Sequence, residues 1–146
     1  MSGTDAPLPA RPPWIASASL LVVLLAVMVW ALPRSVQPGD AGEFATILLR
    51  GGVPHPPGYP WMRMLGPLAS LAESLGLPAA TAAALPCALL GVAGWWWIAH
   101  VAARVSGWPI AFGTAAFVAC AHVVVLHVTD AEVWGPLVFA TAGLLP

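Results

Sequence analysis

An all-α polytopic membrane protein, with three to four transmembrane helices and amphipathic surface helices in the first external loop, is the architecture this sequence predicts. Three observations carry that expectation: 60% of the 146 residues are hydrophobic, only 8% are charged, and long apolar runs alternate with short proline-rich polar links. So little polar surface cannot cover a soluble globule of this length. The chain has no Lys and no Asn, a formal net charge of -1 and no basic cluster. Nucleic acid, which requires a basic face to displace counterions from phosphates, is therefore excluded as a partner. Alanine-rich, lysine-free composition is also that of a GC-rich bacterial genome.

Residues 1–13 read as a cytoplasmic leader broken by Pro7, Pro9, Pro12 and Pro13 around Arg11. Trp14 to Leu32 is an apolar run of about 19 residues, enough at about 1.5 Å per residue to cross a hydrocarbon core of about 30 Å. Trp14 and Trp30 mark its two interfaces. Val29-Trp30-Ala31 imitates a signal-peptidase site, but the run is long for a cleaved signal, so a retained anchor is expected. Further spans are expected at Ala79 to Ala103 and Trp108 to Val128, with an incomplete one over 133–146. The link holding Arg104, flanked by Trp95, Trp96, Trp97 and Trp108, resembles a cytoplasmic interface.

The loop 33–78 is the polar exception. Asp40 and Glu43 have the spacing of a capping box, with Asp40 as N-cap and Glu43 reaching back from the third helical position. Phe44, Ile47 and Leu48 then recur at helical spacing until Gly51-Gly52, predicting a short amphipathic helix. His55-Pro56-Pro57-Gly58-Tyr59-Pro60 has several fixed φ angles and the chain's only tyrosine. It is either the rigid wall of a binding pocket or a stiff turn between two surface helices. Trp61 to Leu77 is long enough to cross, but Arg63 and Glu73 would each cost a few kcal/mol at the bilayer centre, so one interfacial helix is expected instead. That choice puts Asp40, Glu43, Asp130 and Glu132 on one external face and the N-terminus inside. A crossing helix would separate Asp40 from Asp130.

The other titratable groups invite plainer readings. His100, His122 and His127 are expected to be packed or interfacial, Cys87 and Cys120 to behave as small hydrophobes, and no metal site or cofactor is expected. Arg50 and Arg63 either snorkel to headgroups or bind a substrate phosphate. Thr129 and Glu132 repeat the capping spacing before the last apolar run.

A span, then GDAGEF, then HPPGYP, then two spans and DAEVW resembles, in order and spacing, the start of the protein O-mannosyltransferase-like family of membrane proteins. The likeness covers about residues 14–146 and only the N-terminal part of the family domain. It implies the N-terminal part of a glycosyltransferase C-type fold, in which an acidic residue of the first external loop is the catalytic base. Asp40 takes that position, with Glu43 beside it; His55, Pro56, Pro57, Gly58 and Tyr59 match the proline-rich motif. Glu132, next to Asp130, matches the acid of the second external loop, although the family has tyrosine where this chain has Trp134.

The implied chemistry is transfer of a sugar, mannose by family, from a polyprenyl-phosphate carrier to a hydroxyl of a protein or glycan acceptor at the outer face of the cell membrane. Asp40 is expected to accept the acceptor proton, and Arg50 or Arg63 to stabilise the departing phosphate. Because the chain stops inside an apolar run, a truncated product, inactive alone or completed by helices of another chain, is expected. The alternative is a non-catalytic membrane module, either a transporter fragment or a lipid-carrier-binding subunit.

Overall fold

The computed structural model describes residues 12–36, 38–53, 59–121, 131 and 133–145. Its elements are α1 (Trp14–Ala31), α2 (Asp40–Arg50), α3 (Pro60–Met64), α4 (Gly66–Ser74), α5 (Ala79–Ser106), α6 (Trp108–Ala119) and α7 (Trp134–Gly143), with no strand among the described residues. Two of them, α1 with 18 residues and α5 with 28, are long and apolar enough to cross a membrane. Both begin immediately after a proline, which lacks the N–H that a helix start leaves unused.

Two polar contacts orient α1 against α5. Ser17, near the start of α1, meets His100 near the end of α5 at 3.0 Å. At the opposite end the Thr81 hydroxyl donates to the Pro33 carbonyl at 2.7 Å. The helices are therefore antiparallel, and the start of α1 and the Arg104 link share one end of the molecule. A core of Leu20, Leu24 and Met28 from α1, Val92 and Ala99 from α5, and Phe112 from α6 fills the space between them. Polar groups in this core are partnered: the Trp95 indole donates to the Ala115 carbonyl at 3.0 Å, and His100 Nδ1 donates to the Trp96 carbonyl at 2.8 Å. That second bond assigns the hydrogen to Nδ1, so in the neutral ring Nε2 accepts from Ser17. The packed histidine expected at position 100 is observed, with its ring 4.2 Å from Trp96 and 4.9 Å from Phe112.

A second core, built of Phe44, Ala45, Leu48, Met62, Ala69, Ala83, Ala84 and Cys87, seats α2, α3 and α4 on the N-terminal half of α5. Side chains this small let the short helices approach the long one closely. α7 approaches α5 closely at Gly94, where an added Cβ would lie 2.7 Å from the backbone N and Cα of Phe139.

Three expectations need revision or restriction. The stretch 61–77 is two helices, not one: the helix breaks at Leu65 and restarts at Gly66, with Pro67 in the first turn of α4, where its missing N–H leaves no intrahelical bond unmade but could not have continued the ladder from α3. Neither piece, of 5 and 9 residues, reaches across a bilayer. The described part of the expected span 108–128 is helical for 12 residues and closes in turns at Cys120 and Ala121. Arg11, His122, His127 and Thr129 lie outside the described residues.

Candidate active site

Asp40 opens α2 but does not cap it. The N-cap is Gly39, at φ 81 and ψ -150, and no side chain makes the capping hydrogen bond. This corrects the capping-box expectation: the helix starts one residue earlier than Asp40 as N-cap would require, so Asp40 stands in the first turn with Glu43. The physical reason is Gly39 itself, since that φ/ψ region is open essentially to glycine alone, and it turns the chain directly into the helix. Freed from capping, Asp40 is exposed, whereas Glu43, three residues on, is half-buried. Both stand in the first turn of α2, at the end where the backbone N–H groups point outward. Gly51, at φ 79 and ψ 178, ends the helix as expected.

The buried face of α2 fixes the direction in which Asp40 points. Ala41, Phe44, Ala45, Ile47 and Leu48 are all buried, leaving Asp40, Thr46 and Arg50 outward. Phe44, one turn beyond Asp40, meets Tyr59 edge-on with ring centroids 5.6 Å apart and an interplanar angle of 72°. Tyr59 is half-buried and has φ 29, a positive value that a bulky side chain adopts only under constraint. Of the proline-rich motif, Tyr59 and Pro60 are described; His55, Pro56, Pro57 and Gly58 lie outside the described residues.

Asp130 and Glu132 also lie outside the described residues, but Ala131 between them is buried against α2 and α5. With Pro33, Ser35, Val36, Ala41, Ala45 and Ala80 it lines a cleft of about 10 Å³. Such a cleft holds about one water.

The two arginines differ in placement. Arg50 sits ten residues beyond Asp40, about 15 Å along the axis, and its guanidinium grips Glu73 of α4 through Nη1–Oε2 at 2.8 Å and Nη2–Oε1 at 3.0 Å. Hydrogen bonding to Arg50 is the main cause that holds the Glu73 carboxyl below its ordinary range, and the same pair raises Arg50. Arg63 is exposed on α3, four residues after Tyr59. Sequence reasoning treated Glu73 only as a burden on membrane crossing and missed this partner, because the two residues lie 23 apart with no local pattern linking them. Among the described residues, no group of three or more His, Cys, Asp or Glu could hold a metal ion.

Two apolar helices of bilayer length, with short helices and the exposed Asp40 at one end, define the class: among the described residues the chain is all-helical, with two helices long and apolar enough to cross a membrane. Residues 40–143, beginning at Asp40, match the family described as the protein O-mannosyl-transferase TMEM260 N-terminal domain, and the chain belongs to that family. Over 52 residues, 36% of this chain, it is 42% identical to the protein O-mannosyl-transferase TMEM260 of Mus musculus. That alignment spans 7% of the mouse protein. No solved structure matches the chain.

Proposed function

We propose that the chain forms the acidic entry half of a membrane mannosyltransferase that takes its sugar from a polyprenyl-phosphate carrier and delivers it to a hydroxyl of a protein or glycan acceptor. The observation that carries this reading is the presentation of Asp40: exposed, in the first turn of a helix whose opposite face is packed down, and turned outward by Gly39. Family membership and the mannosyl transfer named for the mouse relative supply the reaction class. The apolar helices support a lipid-linked donor, since a site at their end lies where a carrier's phosphate would emerge from the bilayer.

In the reaction, Asp40 takes the proton of the acceptor hydroxyl as its oxygen forms a bond to the anomeric carbon. The bond from that carbon to the carrier phosphate breaks, and the electron pair leaves on the phosphate. A base of this kind contributes about 10²–10⁴-fold. A phosphate needs no strong acid to leave, but it gains from a cation. Arg63 suits that task better than Arg50, which is engaged by Glu73 and stands at the far end of α2. Glu43 shares the first turn of α2 with Asp40, and His55 and Tyr59 are assigned to contact with the sugar. Asp130 and Glu132, the neighbours in sequence of the buried Ala131, are assigned to the acceptor.

The test is mannosyl transfer from radiolabelled polyprenyl phosphomannose by membranes containing the protein, wild type against Asp40→Asn, at matched amounts of folded protein. Loss of turnover by 10²-fold or more, at an unchanged elution profile in detergent, supports the base. Unchanged turnover removes Asp40 from the mechanism. The absence of transfer in wild-type membranes, together with retention of labelled carrier, would favour a lipid-carrier-binding module.

A further inference from the structure

Phe44 and Tyr59 join the helix that carries Asp40 to the proline-rich motif. Phe44 is 2% exposed and stands one turn of α2 beyond Asp40. Tyr59 closes the motif immediately ahead of α3, yet its ring lies 5.6 Å from that of Phe44, at an interplanar angle of 72°. It is therefore placed opposite the middle of α2, not at the end where the chain leaves that helix.

The backbone of Tyr59 is as unusual as its position. At φ 29 and ψ 63 it is the one residue other than glycine with positive φ among the described residues. A residue that precedes a proline is driven towards extended geometry, and the left-handed region is unfavourable to a bulky side chain. Such a conformation persists only where its surroundings fix it. Two contacts do so here. The Tyr59 carbonyl accepts the Met62 N–H at 2.9 Å, and Met62 is fully buried, which ties the backbone to α3. The Phe44 ring ties the side chain to α2. Only this second contact sets the direction of the phenol relative to the helix that carries Asp40.

We propose that Phe44 is a positioning residue for the transfer reaction, holding Tyr59 in its left-handed conformation so that the phenol and the motif it closes stay in register with Asp40. This rests on the transfer reading and deepens it, by giving a task to a buried residue outside the groups assigned to substrate. An edge-on aromatic contact suits that task because it is directional, whereas burial of apolar area as such is not.

Tyr59 is the chain's only tyrosine, so 3-fluorotyrosine labels this position alone in the full chain. Fluorine NMR in detergent is recorded for wild type and Phe44→Leu, and mannosyl transfer from polyprenyl phosphomannose is measured for both. The expected wild-type spectrum is one resonance displaced from that of the unfolded protein, with a return towards the unfolded position in Phe44→Leu. Transfer by Phe44→Leu falls by up to about 10²-fold, the scale of a misplacement of about 1 Å, chiefly in kcat and with little change in KM for the carrier. The double variant Phe44→Leu/Tyr59→Ala is no slower than Tyr59→Ala alone, because both changes remove the same placement. Leu24→Ala, in the separate core of α1, α5 and α6, lowers stability yet transfers normally per folded molecule. Should Phe44→Leu fail to fold, Phe44→Met, whose flexible chain fills the gap without a ring edge, takes its place.

A Tyr59 resonance unmoved by Phe44→Leu overturns the proposal, since the ring then does not hold the tyrosine. Losses that add in the double variant also overturn it, by showing that Phe44 only fills the core. Wild-type protein that transfers nothing ends the transfer reading and this proposal with it. An active wild type that loses turnover in Asp40→Asn but not in Phe44→Leu ends this proposal alone.

Discussion

Arg50 and Glu73 form a two-pronged ion pair that fastens the end of α2 to the last turn of α4, with contacts of 2.8 and 3.0 Å. Both helices also rest on α5 through their alanines, so the pair works as a lateral tie between elements already seated. Its strength is limited by exposure, since 64% of the Arg50 side chain and 29% of the Glu73 side chain remain accessible.

The tie has a pH signature. Hydrogen bonding to Arg50 lowers the folded-state pKa of Glu73, so its contribution is fully present above the ordinary unfolded value near 4.5 and is lost as pH falls through the lowered one. Thermal unfolding in detergent between neutral pH and strong acid should show wild-type protein losing more stability below about pH 4.5 than Glu73→Gln does. Raising the salt concentration should shrink the difference at neutral pH.

Gly94 should tolerate no side chain. A Cβ there would meet the Phe139 backbone at 2.7 Å, and backbone cannot swing aside as a flexible side chain would. Gly94→Ala is expected to separate α5 from α7 and to lower stability by about 1–3 kcal/mol. Gly113→Ala, in the middle of α6 with nothing within 4 Å of its added Cβ, should be neutral or stabilising by up to about 1 kcal/mol. Paired unfolding curves of the two variants separate a packing effect from helix propensity.

Ser17→Ala leaves His100 Nε2 without its partner across the α1–α5 contact, where the distance is 3.0 Å. Interhelical hydrogen bonds of this kind contribute about 0.6 kcal/mol and at most about 1.7. A double-mutant cycle of Ser17→Ala with His100→Phe should therefore return a coupling within that range. Coupling near zero would mean that the apolar packing of Leu20, Leu24 and Met28 holds α1 by itself.

Gly39→Ala tests how Asp40 is presented. No atom lies within 4 Å of an added Cβ, yet φ is +81, so the penalty comes from backbone conformation alone and amounts to about 1–3 kcal/mol. Transfer activity should fall with it because α2 then starts differently. Asp40→Asn, which removes no capping hydrogen bond, should leave the unfolding temperature nearly unchanged. A large loss of stability in Asp40→Asn would indicate that the carboxylate has a structural role.

Sequence by itself determined the elements whose cause is local. Apolar runs bounded by Pro13, Pro78 and Gly107 became α1 and α5, Gly51 ended α2, and the charges at Arg63 and Glu73 argued against a crossing by 61–77, which forms two short helices. Asp40 was legible as a candidate because polar residues are scarce in such a chain, and the spacing of its motifs pointed to the family that residues 40–143 match.

Tertiary structure decided what no local pattern encodes. Asp40 was read as a cap, but Gly39 takes that position and leaves the carboxylate outward. Arg50 was read as a candidate phosphate partner, yet packing of α2 and α4 on the alanines of α5 delivers it to Glu73. Ala131, which no pattern in the sequence marks out, is buried in the same core as Phe44, Ala45 and Leu48 of α2. Hydrophobic periodicity and turn chemistry act over a few residues and can be read along the chain. Pairing across 23 residues, or between residues 17 and 100, depends on how closely small side chains let helices approach, and only the folded arrangement sets that distance.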